Sequence, residues 1–169
     1  MERRVQAKSK KPAESHTEMT EIVLPQHTNA LGTVFGGVVM SWVDIAAATC
    51  ALRHCNRSVV TASIDAMHFL APIKLGWVVN LKASVNFTAT SSCEVGVKVI
   101  AENPITEEYF HTASAFVTLV ALDSHGKPAA IPKIDPQTDE EKRRYGDGEK
   151  RRQHRIATRK ALQNRRTHP

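Results

Sequence analysis

HTNALGTVFGGVVMSWVD, residues 27–44, carries the chain from a turn-rich connector into its longest apolar stretch. The connector, Pro25 to Gly32, holds Asn29 and Gly32, residue types suited to positive φ or to local side-chain capping. Gly36 and Gly37 then open an apolar run from Val34 to His54. Within it Val38, Trp42, Ile45 and Thr49 recur at helical spacing, and Ala46, Ala47 and Ala48 favour a helix and close approach of its neighbours. Val39, Met40 and Val43 fill the other directions. The helix is therefore apolar nearly all round, which predicts that other structure wraps it. Residues 33–52 have the length of a membrane span, but Asp44 near the middle makes a span costly. The stretch reads instead as a buried helix of a soluble domain.

Around this helix the period is two. Thr17 to Leu24 alternates as a strand, ended by Pro25. Val59 to Leu70 reads as a strand of mixed faces, and Pro72 to Gly76 as the turn after it. Val79, Leu81, Ala83, Val85 and Phe87 alternate within a strand from Trp77 to Thr90, as do Val95, Val97 and Val99 between Cys93 and Ala101. Tyr109 to Leu122 is a long last strand, closed by Asp123 to Gly126. Strands joined by short polar turns imply an antiparallel meander. One strand, one helix and four strands predict an α+β fold: a five-stranded antiparallel sheet wrapped around one long central helix.

Residues 17–132 form one domain of ordinary size for a single core. Residues 1–16 read as a flexible charged arm. Residues 133–169 read as a basic tail, and Pro132 and Pro136 break the chain around its start. Acids at Asp139, Glu140 and Glu141 then start a short helix, and the end is expected to fray. The net charge of +6 resides mostly in these flanks, so it argues weakly for nucleic acid. Tyr145 is the tail's one aromatic, too few for base stacking. Cys50, Cys55 and Cys93 form no C-x-x-C pair, which fits a reducing compartment. No apolar leader opens residues 1–12. The expected location is the cytoplasm, without a membrane partner.

The chemistry concentrates in residues 29–44. A carbonyl attacked by water gathers negative charge on oxygen. Unpaired N–H groups at a helix start, as at Gly36 and Gly37, suit that charge. Asp44, in apolar surroundings where a carboxylate is poorly solvated, suits the base that takes the water's proton. The Asn29 amide can donate to the carbonyl or orient the water. His27, His54, His68 and His111 are scattered, which gives no metal site. Asp65 and His68 point to opposite strand faces and make no dyad. No G-x-S-x-G elbow is present.

The pattern P-x-x-x-N-x-x-G-x-V-F-G-G-x-x-M-x-W-x-D, Pro25 to Asp44, resembles the signature of hot-dog-fold acyl-CoA thioesterases, the YciA-like and cytosolic brain-type acyl-CoA hydrolase group. Val60 to Ile73 resembles the group's second block, and Ser91 to Val97 a third; together the likeness spans Thr17 to Pro132. Trp77 departs from the acidic residue that relatives often carry there. The resemblance implies a hot-dog fold and hydrolysis of acyl-CoA to fatty acid and CoA, with no cofactor beyond the CoA of the substrate. It implies that Asn29 and Asp44 are the catalytic pair, brought together from two subunits of a dimer, with dimers assembling as a trimer. Arg57, Ser91, Ser92 and tail cations are the expected CoA contacts. Two alternatives stand beside this reading. One is a hot-dog dehydratase, which needs a histidine at the helix start that this chain lacks. The other is a non-catalytic module binding CoA or nucleic acid through the tail.

Overall fold

The computed structural model describes residues 9–167. Helix α1 spans Gly36–Cys55, about 30 Å of axis at 1.5 Å per residue. Phe35 stands extended at its N-cap without a side-chain cap, and Asn56 ends it in the left-handed region at φ 49°. The Asn56 N–H reaches the Leu52 carbonyl at 2.9 Å, the usual closure of a helix by Asn or Gly. The buried face is Val39, Trp42, Val43, Ala46, Ala47, Cys50, Ala51 and His54. Of Val38, Trp42, Ile45 and Thr49 only Trp42 belongs to it; Ile45 is 51% exposed, and Met40 and Leu52 are exposed too. A helix apolar on every side leaves the choice of face to packing. The alanine and cysteine side lets the sheet approach most closely.

The sheet has the order β1-β4-β5-β6-β2, all antiparallel, with β1 Thr17–Ile22, β2 Ser58–Ile64, β4 Val78–Thr88, β5 Ser92–Asn103 and β6 Glu108–Leu122. A short β3, His68–Phe69, also pairs with β6. The single strand expected over Val59 to Leu70 is thus two strands on one partner, with a register shift between Thr61 and Ser63. Alternate residues of the three central strands face α1 and are buried: Leu81, Ala83 and Val85; Val95, Val97 and Val99; Ala115, Val117 and Leu119. This is the wrapped helix of a hot-dog fold. Fully burying one Leu or Val contributes roughly 1.5–3 kcal/mol, and the core is one continuous cluster.

Both flanks are more ordered than the sequence suggested. Residues 1–8 of the expected arm lie outside the described residues. Lys10 instead bridges Ile134, its N–H donating to the Lys133 carbonyl at 2.9 Å, and Pro12 and Ser15 are buried. Helix α2 spans Asp139–Thr167, twenty-nine residues in place of a short helix with a frayed end. It lies against the sheet face opposite α1. Tyr145 meets the Phe87 ring at 5.1 Å, and the Arg151 guanidinium lies 3.6 Å over the Phe116 ring. Glu94, 1% exposed, accepts Arg151 at 2.6 Å and Arg155 at 2.9 Å. Arg155 also pairs with Asp65 at 2.7 Å. Gly148 makes the approach possible, since a Cβ there would lie 2.8 Å from the Phe87 Cβ.

Candidate functional site

The connector after β1 is built by Asn29. Its Oδ1 accepts the N–H of Leu31 at 2.9 Å and of Thr33 at 3.3 Å, while its own N–H donates to the Thr33 carbonyl at 2.9 Å. Gly32 takes φ 72° within the turn. The Asn29 Nδ2 donates to Thr33 Oγ1 at 3.0 Å. That uses one of its two N–H donors and leaves one over. His27 anchors the loop from the other side. Its Nδ1 accepts the Leu24 N–H at 3.2 Å, and its ring stands edge-on to Trp42 at 5.2 Å.

The loop delivers the chain to the start of α1. The Phe35 N–H donates to the His27 carbonyl, and Val38 and Val39 donate back to Phe35. Among the described residues the N–H groups of Gly36 and Gly37 meet no acceptor, and no side chain caps the helix. These are orphan donors at the positive end of a twenty-residue dipole. Gly36 also admits the Phe69 ring, which would stand 3.2 Å from a Cβ there, whereas the space beside Gly37 is open. Thr33, Val34, Gly36, Val39, Phe69 and Leu70 help line a cleft of about 280 Å³ beside this helix start. The lining is mostly apolar.

Asp44 sits two turns further along α1 and is half-buried. Its Oδ1 accepts the Thr61 hydroxyl at 2.6 Å, a short charge-assisted bond. Thr61 comes from β2, the edge strand of the sheet, at the register shift that follows it. Bulges of this kind re-aim a side chain. Thr61 was not singled out from the sequence, where it is one threonine among several in a strand. Among the described residues no hydrogen bond joins Asn29 to Asp44: the Asn29 side chain bonds within its loop, and the Asp44 side chain to Thr61.

Arg57, Ser91 and Ser92 gather at the other end of α1. Ser92 pairs with Val120 and Ser58 with Leu122, and the Ser91 carbonyl accepts the Ala121 N–H at 2.9 Å. The N–H groups of Lys127 and His125 hold the Asp123 carboxyl below its ordinary range, and the nearby Arg57 charge adds to this. A single chain therefore separates these three residues from Gly36 by about the length of α1, ~30 Å. No group of His, Cys, Asp and Glu among the described residues is arranged to hold a metal ion. No described helix is long and apolar enough to cross a membrane.

A long helix wrapped by a curled antiparallel sheet is the hot-dog fold. Residues 31–108 match the thioesterase superfamily. The chain is 47% identical over 128 residues to YkhA of Bacillus subtilis strain 168, named as an uncharacterized acyl-CoA thioester hydrolase, covering 76% of this chain and 74% of that one. It superposes on a crystal structure of an apo-hexameric acyl-CoA thioesterase with TM-score 0.86 and 41% identity, covering 89% of this chain and 97% of the other. It superposes equally, at TM-score 0.86 and 36% identity, on the Staphylococcus aureus acyl-CoA hydrolase in complex with butyryl coenzyme A, coenzyme A and coenzyme A disulfide, covering 94% and 96% of the two chains. That hydrolase has also been characterised as variants with one aspartate, one threonine or one asparagine replaced by alanine. The chain belongs to the thioesterase superfamily and, within it, to the acyl-CoA thioester hydrolases.

Proposed function

We propose that the protein hydrolyses acyl-CoA with Asp44 as the base, at a site completed by a second copy of the chain. The observation that carries this is the 2.6 Å bond from Thr61 to Asp44 Oδ1. It fixes one carboxylate oxygen and leaves the other to take a proton from water. The water oxygen then attacks the thioester carbonyl. The oxyanion is held by the free N–H groups of Gly36 and Gly37, and the spare N–H of Asn29 aligns carbonyl or water. One such donor is typically worth about 3–4 kcal/mol. The C–S bond breaks as the tetrahedral intermediate collapses. CoA leaves as the thiolate and recovers the proton, so the products are the fatty acid and CoA. The acyl chain lies in the cleft between Phe69 and Val39.

Two facts support this assignment of roles. The asparagine, aspartate and threonine of the S. aureus variants follow each other at 15 and 17 residues. Asn29, Asp44 and Thr61 have the same separations. The surroundings of Asp44 also ask for a partner chain. It lies on the side of α1 where Met40, Ile45 and Leu52 are exposed, next to an unpaired sheet edge bearing exposed Val60. Apolar surface of that kind marks an interaction face, and open edges are normally covered. A second copy with its helix reversed would bring its own Asn29 and Gly36 toward Asp44. It would also bring Arg57, Ser91 and Ser92 toward the partner's helix start, where CoA is bound. Trimerisation of such dimers and a cytoplasmic location complete the reading; a relative of this chain is a cytosolic acyl-CoA hydrolase in rat.

The test is complementation. Asn29→Ala and Asp44→Ala chains, each inactive alone, are mixed under conditions of confirmed subunit exchange. Recovery of about a quarter to a half of wild-type turnover is expected. Exchange without recovery would defeat the shared site.

A further inference from the structure

Strands β2 and β3 run along the same partner, β6, but they do not keep one register. Thr61 lies opposite Leu119 and Ser63 opposite Thr118, so two steps along β2 answer to one along β6. Ile64 lies opposite Val117 and His68 opposite Ser114, so four steps answer to three. Each added residue reverses the alternation of the side chains after it. Thr61, Ile64 and Phe69 therefore all lie opposite residues of β6 that are buried against α1: Leu119, Val117 and Ala113. At one end of this segment Thr61 reaches Asp44, and at the other the Phe69 ring packs on Gly36.

The junction between the two irregularities is Asp65. Its N–H donates to the Phe116 carbonyl at 2.9 Å, and its side chain points away from α1 to α2. There Oδ2 accepts Nη1 of Arg155 at 2.7 Å. The same Nη1 lies 2.9 Å from Oε2 of Glu94. Glu94 stands opposite Thr118 on one side of β6, as Ser63 does on the other. Arg155 thus straps interior strand β5, across β6, to the edge of the sheet. The two side chains of the clasp are 20% and 22% exposed, so it is shielded from the solvent that makes surface ion pairs weak.

We infer that Asp65 is a positioning residue for hydrolysis: clasped by Arg155, it keeps the register that turns the Thr61 hydroxyl onto Asp44. This rests on Asp44 acting as the base. Without the clasp the irregularities are free to migrate along an edge strand, and a slip of one residue sends Thr61 to the opposite face. The cleft beside Gly36 does not contain Asp65, so the loss falls on turnover and not on substrate binding.

Steady-state hydrolysis of one acyl-CoA by the intact oligomer tests this. Asp65→Ala is expected to lower kcat by about fivefold, as when roughly four chains in five have slipped, with KM nearly unchanged. Asp65→Asn keeps an acceptor for Arg155 and should restore most of the loss. Arg155→Leu should reproduce the loss from the helix side, and it stands in if Asp65→Ala does not fold. In a Thr61→Ala background, Asp65→Ala should have almost no further effect, because the two act through one contact. Arg151→Met loosens α2 but leaves the clasp, and should keep kcat near that of the wild type. Near-normal kcat in Asp65→Ala and Arg155→Leu, the same factor lost with and without Thr61, or an equal loss in Arg151→Met overturns the positioning role. Each of those results leaves the inactivity of Asp44→Ala standing. Normal turnover by Asp44→Ala overturns the base itself, and the inference with it.

Discussion

Arg151→Met would test how α2 is held. Glu94 is a carboxylate with 1% exposure, so it cannot fall back on water. Arg151 supplies three of its contacts, Nε to both oxygens at 3.1 and 3.2 Å and Nη2 to Oε1 at 2.6 Å. Arg155 supplies one more, at 2.9 Å. Removing one partner of a buried pair costs 3–5 kcal/mol. The figure here is lower, since Arg155 remains and Arg151 is itself 26% exposed. Loss of the contact with Phe116 adds up to about 1 kcal/mol. The expected loss is about 3 kcal/mol, or roughly 6–12 °C in Tm for a chain of this size. Glu94→Gln in the same chain removes the stranded charge, so the double variant should recover about 2 kcal/mol. Chemical denaturation at fixed chain concentration measures both, since oligomers gain stability by mass action. A single-variant loss under about 1 kcal/mol, or strict additivity in the cycle, would refute the reasoning.

Other outcomes follow from single contacts. Gly148→Val should drive α2 off the sheet and expose residues 139–163 to protease, while Gly146→Ala, with nothing within 4 Å of the new Cβ, should stabilise the helix by up to about 1 kcal/mol; equal protease resistance of the two would contradict the docking. His54 is fully buried, with Nε2 donating to the Pro132 carbonyl and Nδ1 unpartnered. Burial lowers its pKa from 6.5. Below pH 6.5 the unfolded chain thus binds a proton that the folded chain refuses, and stability falls with acidification by at most about 1.4 kcal/mol per pH unit. His54→Asn should flatten the fall of Tm between pH 7 and 5; an unchanged slope would assign it to other groups. Thr61→Ala should lower kcat by about ten- to a hundredfold, the worth of a hydrogen bond to a charged group, with little change in KM. Thr61→Ser should restore it, and failure of that rescue would leave Thr61 a packing residue.

The parts of the fold read from the sequence are those where one physical signal dominates. Val79, Leu81, Ala83 and Val85 alternate with polar residues because one sheet face meets α1 and the other meets solvent or α2, and the same holds for Val95, Val97 and Val99. The side of α1 that is buried could not be read, because Met40, Ile45 and Leu52 are as apolar as the buried face. Their exposure makes sense only beside another chain. Helix α2 escaped because it docks through Gly148, Arg151 and Arg155 on Glu94, Asp65 and Phe116, pairings that hydropathy does not register. The order of residues 10–16 escaped likewise, since it comes from backbone bonds between Lys10 and residues 133–135. At the site, Asn29, Gly36, Gly37 and Asp44 were visible as chemically unusual residues in one stretch. Thr61 reaches Asp44 only through the irregularity of β2, which no local pattern announces.

CoA release from acyl-CoAs of two to sixteen carbons, followed with a thiol reagent in wild type and Asp44→Ala, tests the central claim most directly. The account predicts release by the wild type, a loss of at least a thousandfold in Asp44→Ala, and an unchanged oligomer in that variant. Near-normal release by Asp44→Ala would contradict it.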